Sequence, residues 1–125
     1  MKKIFSAFLV VLMPLAAQAD TPIVPSGQPL SVHQTLTPSD AEGLLYLSFV
    51  APNLAGGSMS FEIASMDMDA LCEEVGIPQA KESVSEINEI VIRLFAEPID
   101  YGTSNPDVVQ YLAAYDISTG RCAWI

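Results

Sequence analysis

DVVQYLAAYDISTGRCAWI, residues Asp107–Ile125, is the stretch against which the rest of the chain must pack. It reads as a strand-like run Val108–Ile117, a turn at Ser118-Thr119-Gly120 and a return run Arg121–Ile125. Cys122 stands two residues before the only tryptophan, Trp124, and the only other cysteine is Cys72. The hairpin can be drawn in two registers. A type I turn with Gly120 in a left-handed bulge position pairs Ile117 with Arg121 and Ala114 with Trp124. Leu112, Ala114, Cys122 and Trp124 then share the core face, and Tyr111 and Tyr115 lie on the other. A two-residue Thr119-Gly120 turn sets Tyr115 beside Trp124 instead. The first is preferred, because a tight primed turn wants positive φ at both central residues and Thr119 resists it.

Cys72 sits on the strongest helical stretch. Met68, Leu71, Cys72 and Val75 recur at i, i+3, i+4 and i+7, an apolar stripe at helical spacing. Ser65 is a suitable N-cap, Asp67 and Asp69 suit the positive end of the dipole, and Gly76 and Pro78 supply a stop. The helix is therefore expected over about Ser65–Val75.

The chain opens as a secretory signal. Lys2 and Lys3 precede an apolar run from Ile4 to Leu15, and Ala17-Gln18-Ala19 gives a small-x-small cleavage pattern. The apolar part falls short of the ~20 residues of a membrane span. Residues 1–19 are read as signal peptide, residues 20–28 as a flexible arm and residues 29–125 as one domain. Taking nineteen residues from 125 leaves 106, one domain's worth. In an oxidising compartment two cysteines read as one disulfide, Cys72–Cys122. Closing a loop of about fifty residues is worth roughly 4 kcal/mol on the chain-entropy estimate.

Four further strands are expected. Pro29–Leu36 is a first, and Leu44–Ala51, apolar on both faces, is a central one. Ser58–Ala64 alternates, with Met59, Phe61 and Ile63 against Ser58, Ser60 and Glu62, the pattern of a half-buried strand. Glu89–Phe95 is dense in β-branched residues, with Arg93 the exception. The fold class is α+β: an antiparallel sheet of five or six short strands with one main helix on one face. A disulfide ties that helix to the C-terminal hairpin.

Fifteen carboxylates stand against five Lys and Arg, a formal charge of −10 that becomes −12 without Lys2 and Lys3. Such a surface repels phosphate backbones and anionic lipid heads, so nucleic acid is not expected as a partner, nor is membrane insertion after signal cleavage. No nucleotide, metal or cofactor motif is present, and the cysteine spacing is not that of a redox pair. Asp69 and Glu73 are i, i+4 neighbours, but helical carboxylates ordinarily form a solvated face, and no metal is assigned to them. His33 is the only histidine, and no second group for general-base work can be named from the sequence. Ala96–Pro106 is the longest irregular segment and the expected functional loop, carrying Asp100, Tyr101 and Asn105. In the preferred register Tyr111 and Tyr115 project from the face away from the helix, where they either form an exposed aromatic patch or are covered by another layer.

The stretches Asp69–Gly76, Ile90–Leu94 and Gln110–Trp124 carry Leu71-Cys72 on a helix, a buried Ile-Val-Ile strand and Ala-Tyr followed by Gly-x-Cys-x-Trp. In these the chain resembles a family of short exported alphaproteobacterial proteins of unknown function, over most of its length from about Gly27. The resemblance implies export and a cysteine pair and carries over no activity. The expected function is a periplasmic or secreted module that binds a protein or small ligand through Asp100, Tyr101, Asn105, Tyr111 and Tyr115. The alternatives are a small hydrolase using acidic residues and a passive envelope component.

Overall fold

The computed structural model describes residues 21–125, so the expected signal peptide lies outside the described residues. Five strands form one sheet in sequence order: β1 Ser31–Leu36, β2 Leu44–Val50, β3 Glu89–Phe95, β4 Gln110–Asp116 and β5 Ala123–Trp124. All neighbours are antiparallel except β2 and β3, which run parallel. The cause is the stretch expected as a strand at Ser58–Ala64. It does not extend. Ser60 caps a helix instead, its Oγ accepting the Ile63 N–H at 3.3 Å, and α1 runs Phe61–Leu71. With no strand there, the link from β2 to β3 crosses the sheet face as a helix, and a helical crossover returns the chain parallel.

The helix also outruns its expected end. Cys72–Gly76 forms a π-helical turn, and α2 continues over Ile77–Glu82. Gly76 is right-handed helical (φ −67°), and Pro78 sits in the first turn of α2, directly after the π-helical turn. Gly76 is there for proximity: a Cβ on it would meet Ile90 Cδ1 at 2.9 Å.

Alternation along the strands sets the core. Leu45, Leu47 and Phe49 of β2, Ile90, Ile92 and Leu94 of β3, and Ala113 and Tyr115 of β4 are buried with Ala64, Met68, Leu71 and Cys72. Cys72 and Cys122 are bonded, with Cα atoms 6.3 Å apart, so the C-terminal segment is fastened to the helix. The start of the described chain is fastened too, although it reads as a flexible arm. Val24 and Gln28 are buried, and the buried Asp67 carboxylate accepts from Ser26 N–H (2.9 Å), Ser26 Oγ (2.6 Å) and Gln28 Nε2 (2.6 Å).

The hairpin takes the register with Tyr115 opposite Trp124 and Asp116 opposite Ala123. The φ objection to it is met without strain. Gly120 N–H bonds Ile117 C=O at 3.0 Å, Gly120 alone takes positive φ (88°), and Ile117–Cys122 stay outside the ladder. Tyr111 and Tyr115 therefore lie on the helix side. The expectation that they form a patch facing away from it is corrected.

Candidate interaction surface

The expected functional loop is built as a clasp across the second face of the sheet. β1 carries a bulge between Val32 and Gln34, and the extra residue, His33, meets Asp100 Oδ1 through Nε2 at 2.9 Å and the Phe95 ring edge-on at 5.5 Å. Tyr101 N–H donates to Gln34 Oε1 (2.9 Å), its ring packs on Tyr46 at 4.8 Å, and its hydroxyl donates to Asp40 Oδ1 (3.3 Å). Burial, then the Asp40 carboxylate, raises the Tyr101 phenol above its ordinary value. Asn105 makes a turn, its Oδ1 accepting from Asp107 N–H (3.2 Å) and its carbonyl from Gln110 Nε2 (3.2 Å). Beneath the loop, Arg93 is only 9 % exposed. It donates to Tyr46 Oη (3.1 Å) and twice to Gln110 Oε1 (3.2 and 2.6 Å), and stacks over Phe95. All these contacts are internal. Asp100, Tyr101 and Asn105 come together as the fastening of a loop.

One open depression, about 690 Å³, is lined by Thr35–Asp40 and Tyr101 and holds neither His33 nor two carboxylates. A second, about 350 Å³, brings Glu42 and Glu86 to one rim. Both are exposed, without the apolar walls that hold one carboxyl of a catalytic pair protonated. Among the described residues no three His, Cys, Asp or Glu gather as a metal site.

The other face is where apolar surface is left over. Tyr115 is fully buried and its hydroxyl donates to Asp69 Oδ1 at 2.7 Å; burial first, then that bond, pushes its phenol well above the ordinary value. Tyr111, partly buried, donates to the Met59 carbonyl at 2.9 Å. Trp124 Nε1–H also reaches Asp69 Oδ1, at 2.7 Å. The Phe61 ring stands edge-on to Tyr111 (5.5 Å) and Trp124 (6.0 Å). Phe61 remains 42 % and Trp124 52 % exposed, so the rings that reach solvent are not the expected tyrosines. Phe61 is hidden in the sequence because Met59-Phe61-Ile63 alternates like a strand. The legible counter-signal is Ala64, Met68 and Leu71 at i, i+4 and i+7 behind a Ser60 cap.

Beside these rings runs an unoccupied strand edge. β5 pairs with Tyr115 and Asp116, and Ile125 N–H reaches Ala114 C=O (3.1 Å). No described strand pairs with the outer side of Gln110–Ala113. Since the Ala114 carbonyl points outward, alternation turns the backbone groups of Leu112 and Gln110 outward as well. The Leu112 side chain, on the far face, is 55 % exposed.

Comparison with curated proteins and with solved structures gave no match. A family model matches residues 9–125, and the chain belongs to that family of unknown function, DUF6497.

Proposed function

We propose that this family member is a protein-interaction module of an oxidising compartment, periplasmic or extracellular, that accepts an extended segment of a partner on the free edge of β4. One observation carries the reading: the vacant stretch Gln110–Ala113 is uncharged and unprotected, and it adjoins half-exposed Phe61 and Trp124. Exposed sheet edges are ordinarily blunted by lysine, proline, a bulge or a covering element, because an open ladder invites pairing. β1, the other edge strand, has such a device in its bulge at His33. The stretch Gln-Tyr-Leu-Ala has none. A partner strand there would gain main-chain hydrogen bonds for affinity and side-chain contacts for selectivity. On the helix side it would meet Phe61 and Tyr111, and on the far side Leu112. Tyr115 acts from beneath by sharing Asp69 with Trp124, and Asp100, Tyr101 and Asn105 keep the distant loop closed.

The compartment is supported by the Cys72–Cys122 bond, which suits an oxidising environment. Among the described residues no helix is long and apolar enough to cross a membrane. The test is panning of a random extended-peptide library on the oxidised domain, repeated on Leu112→Lys. An edge lysine leaves the fold intact and opposes pairing, so peptides selected on the native protein should fail on the variant. Peptides that bind both equally would remove β4 from the function.

A further inference from the structure

We propose that the segment received by β4 is basic: an extended stretch of another exported protein in which Lys or Arg alternates with apolar residues. The inference rests on β4 being the docking strand, and it comes from the way the chain's own return segment is already held. The return segment Arg121–Trp124 runs along one flank of α1 and of the π-helical turn after it, and is met there by carboxylates. Arg121 Nε lies 3.2 and 3.3 Å from the two Glu73 oxygens, Cys122 N–H donates to Glu73 Oε2 at 2.9 Å, and Trp124 donates to Asp69. Glu62 stands seven residues before Asp69, so helical spacing puts it on the same flank, two turns further along. It adjoins Phe61, whose ring meets Tyr111 of the vacant stretch.

Glu73, Asp69 and Glu62 thus follow the edge in order. The first two serve the return segment Arg121–Trp124, and Glu62 meets no cation among the described residues. A strand opposite Ala113–Gln110 brings alternate side chains to Phe61 and Glu62, and the ones between to Leu112. A cation fits the first set and an apolar group the second. The overall charge favours the same occupant. Lys81, Arg93 and Arg121 are the only Lys or Arg after residue 20; Arg93 is buried on the far face and Arg121 is engaged by Glu73. An acidic segment, or a second copy of a chain with net charge −10, would be repelled.

The test uses three capped peptides of roughly eight residues, alternating Val with Lys, with Thr or with Glu, titrated into the oxidised protein while Trp124 fluorescence is read. Val–Lys should bind roughly tenfold more tightly than Val–Thr at low salt, and Val–Glu more weakly still. The advantage should shrink at high salt and with Glu62→Gln. Equal binding of all three would overturn charge selection and leave edge docking standing. Binding by none would overturn both. Val–Lys binding that survives Leu112→Lys would show attachment away from β4 and overturn the proposal.

Discussion

Tyr115 and Trp124 donate to one and the same oxygen, Asp69 Oδ1, each at 2.7 Å. One phenol is fully buried and the indole is half exposed, so a single carboxylate couples the core of the sheet to its most aromatic surface. The helix supplies that carboxylate and the hairpin both donors. The disulfide one turn further along, at Cys72, holds the same two elements together.

Asp69→Ala should therefore cost more than an ordinary surface substitution. It leaves the Tyr115 hydroxyl buried without its acceptor and frees the indole, for a loss of about 2–3 kcal/mol. Asp69→Asn keeps an acceptor oxygen and should lose less. Urea unfolding of the three proteins checks the order, and an Ala variant as stable as the native protein would show that the shared bond contributes nothing.

Stability should also fall in alkali. The Tyr115 phenol is raised above its ordinary value of 10.0 by burial first and then by Asp69. Above about pH 10 the unfolded chain ionises this group while the folded protein keeps it neutral. The stabilisation is complete below that pH and declines as pH rises further. Tyr115→Phe should flatten the decline. Unfolding midpoints between about pH 9 and 11 measure it, and identical slopes for both proteins would contradict the assignment.

Reduction should lower the melting temperature sharply. The Cys72–Cys122 bond spans fifty positions, a constraint of roughly 4 kcal/mol, which in a domain of this size corresponds to a fall of roughly 15 °C or more. A thermal melt with and without reductant decides it. An unchanged melt would leave the bond without a structural role.

Gly76→Ala sets two effects against each other. Alanine is favoured by about 1 kcal/mol in a helix, yet its Cβ would press on Ile90 Cδ1 at 2.9 Å and Cγ2 at 3.3 Å in a filled core. Overpacking of this kind costs about 1–3 kcal/mol, so a net destabilisation is expected. Ile90→Val removes Cδ1 and should relieve it, giving a favourable coupling in a double-mutant cycle. Additive single effects would mean the contact is not felt.

Local pattern made some of this fold legible and left some of it undetermined. Leu44–Val50 and Glu89–Phe95 announce themselves through unbroken apolar runs, and the cysteine pair through compartment and number. Ser58–Ala64 does not, because alternation over one helical turn fits a strand and a capped helix start equally. Only the packing of Ala64, Met68 and Leu71 on the sheet decides between them. The hairpin turned on whether Thr119 must take positive φ. By closing the turn at Ile117–Gly120 and keeping Ile117–Cys122 out of the β4–β5 ladder, the chain avoids the conflict. A one-residue slip exchanges the two faces of a strand, and that slip is why Tyr111 and Tyr115 read as exposed while Leu112 did not. Among the described residues the outer side of Gln110–Ala113 meets no strand, and no residue pattern encodes that.

The most direct measurement is amide hydrogen exchange of the oxidised domain, alone and saturated with a selected extended peptide. The expected result is new protection at the Leu112 amide, extending to its neighbours on β4, with β1 unchanged. Protection confined to Ser31–Leu36 or to the 96–109 loop, with Leu112 exchanging as fast as before, would contradict docking on β4.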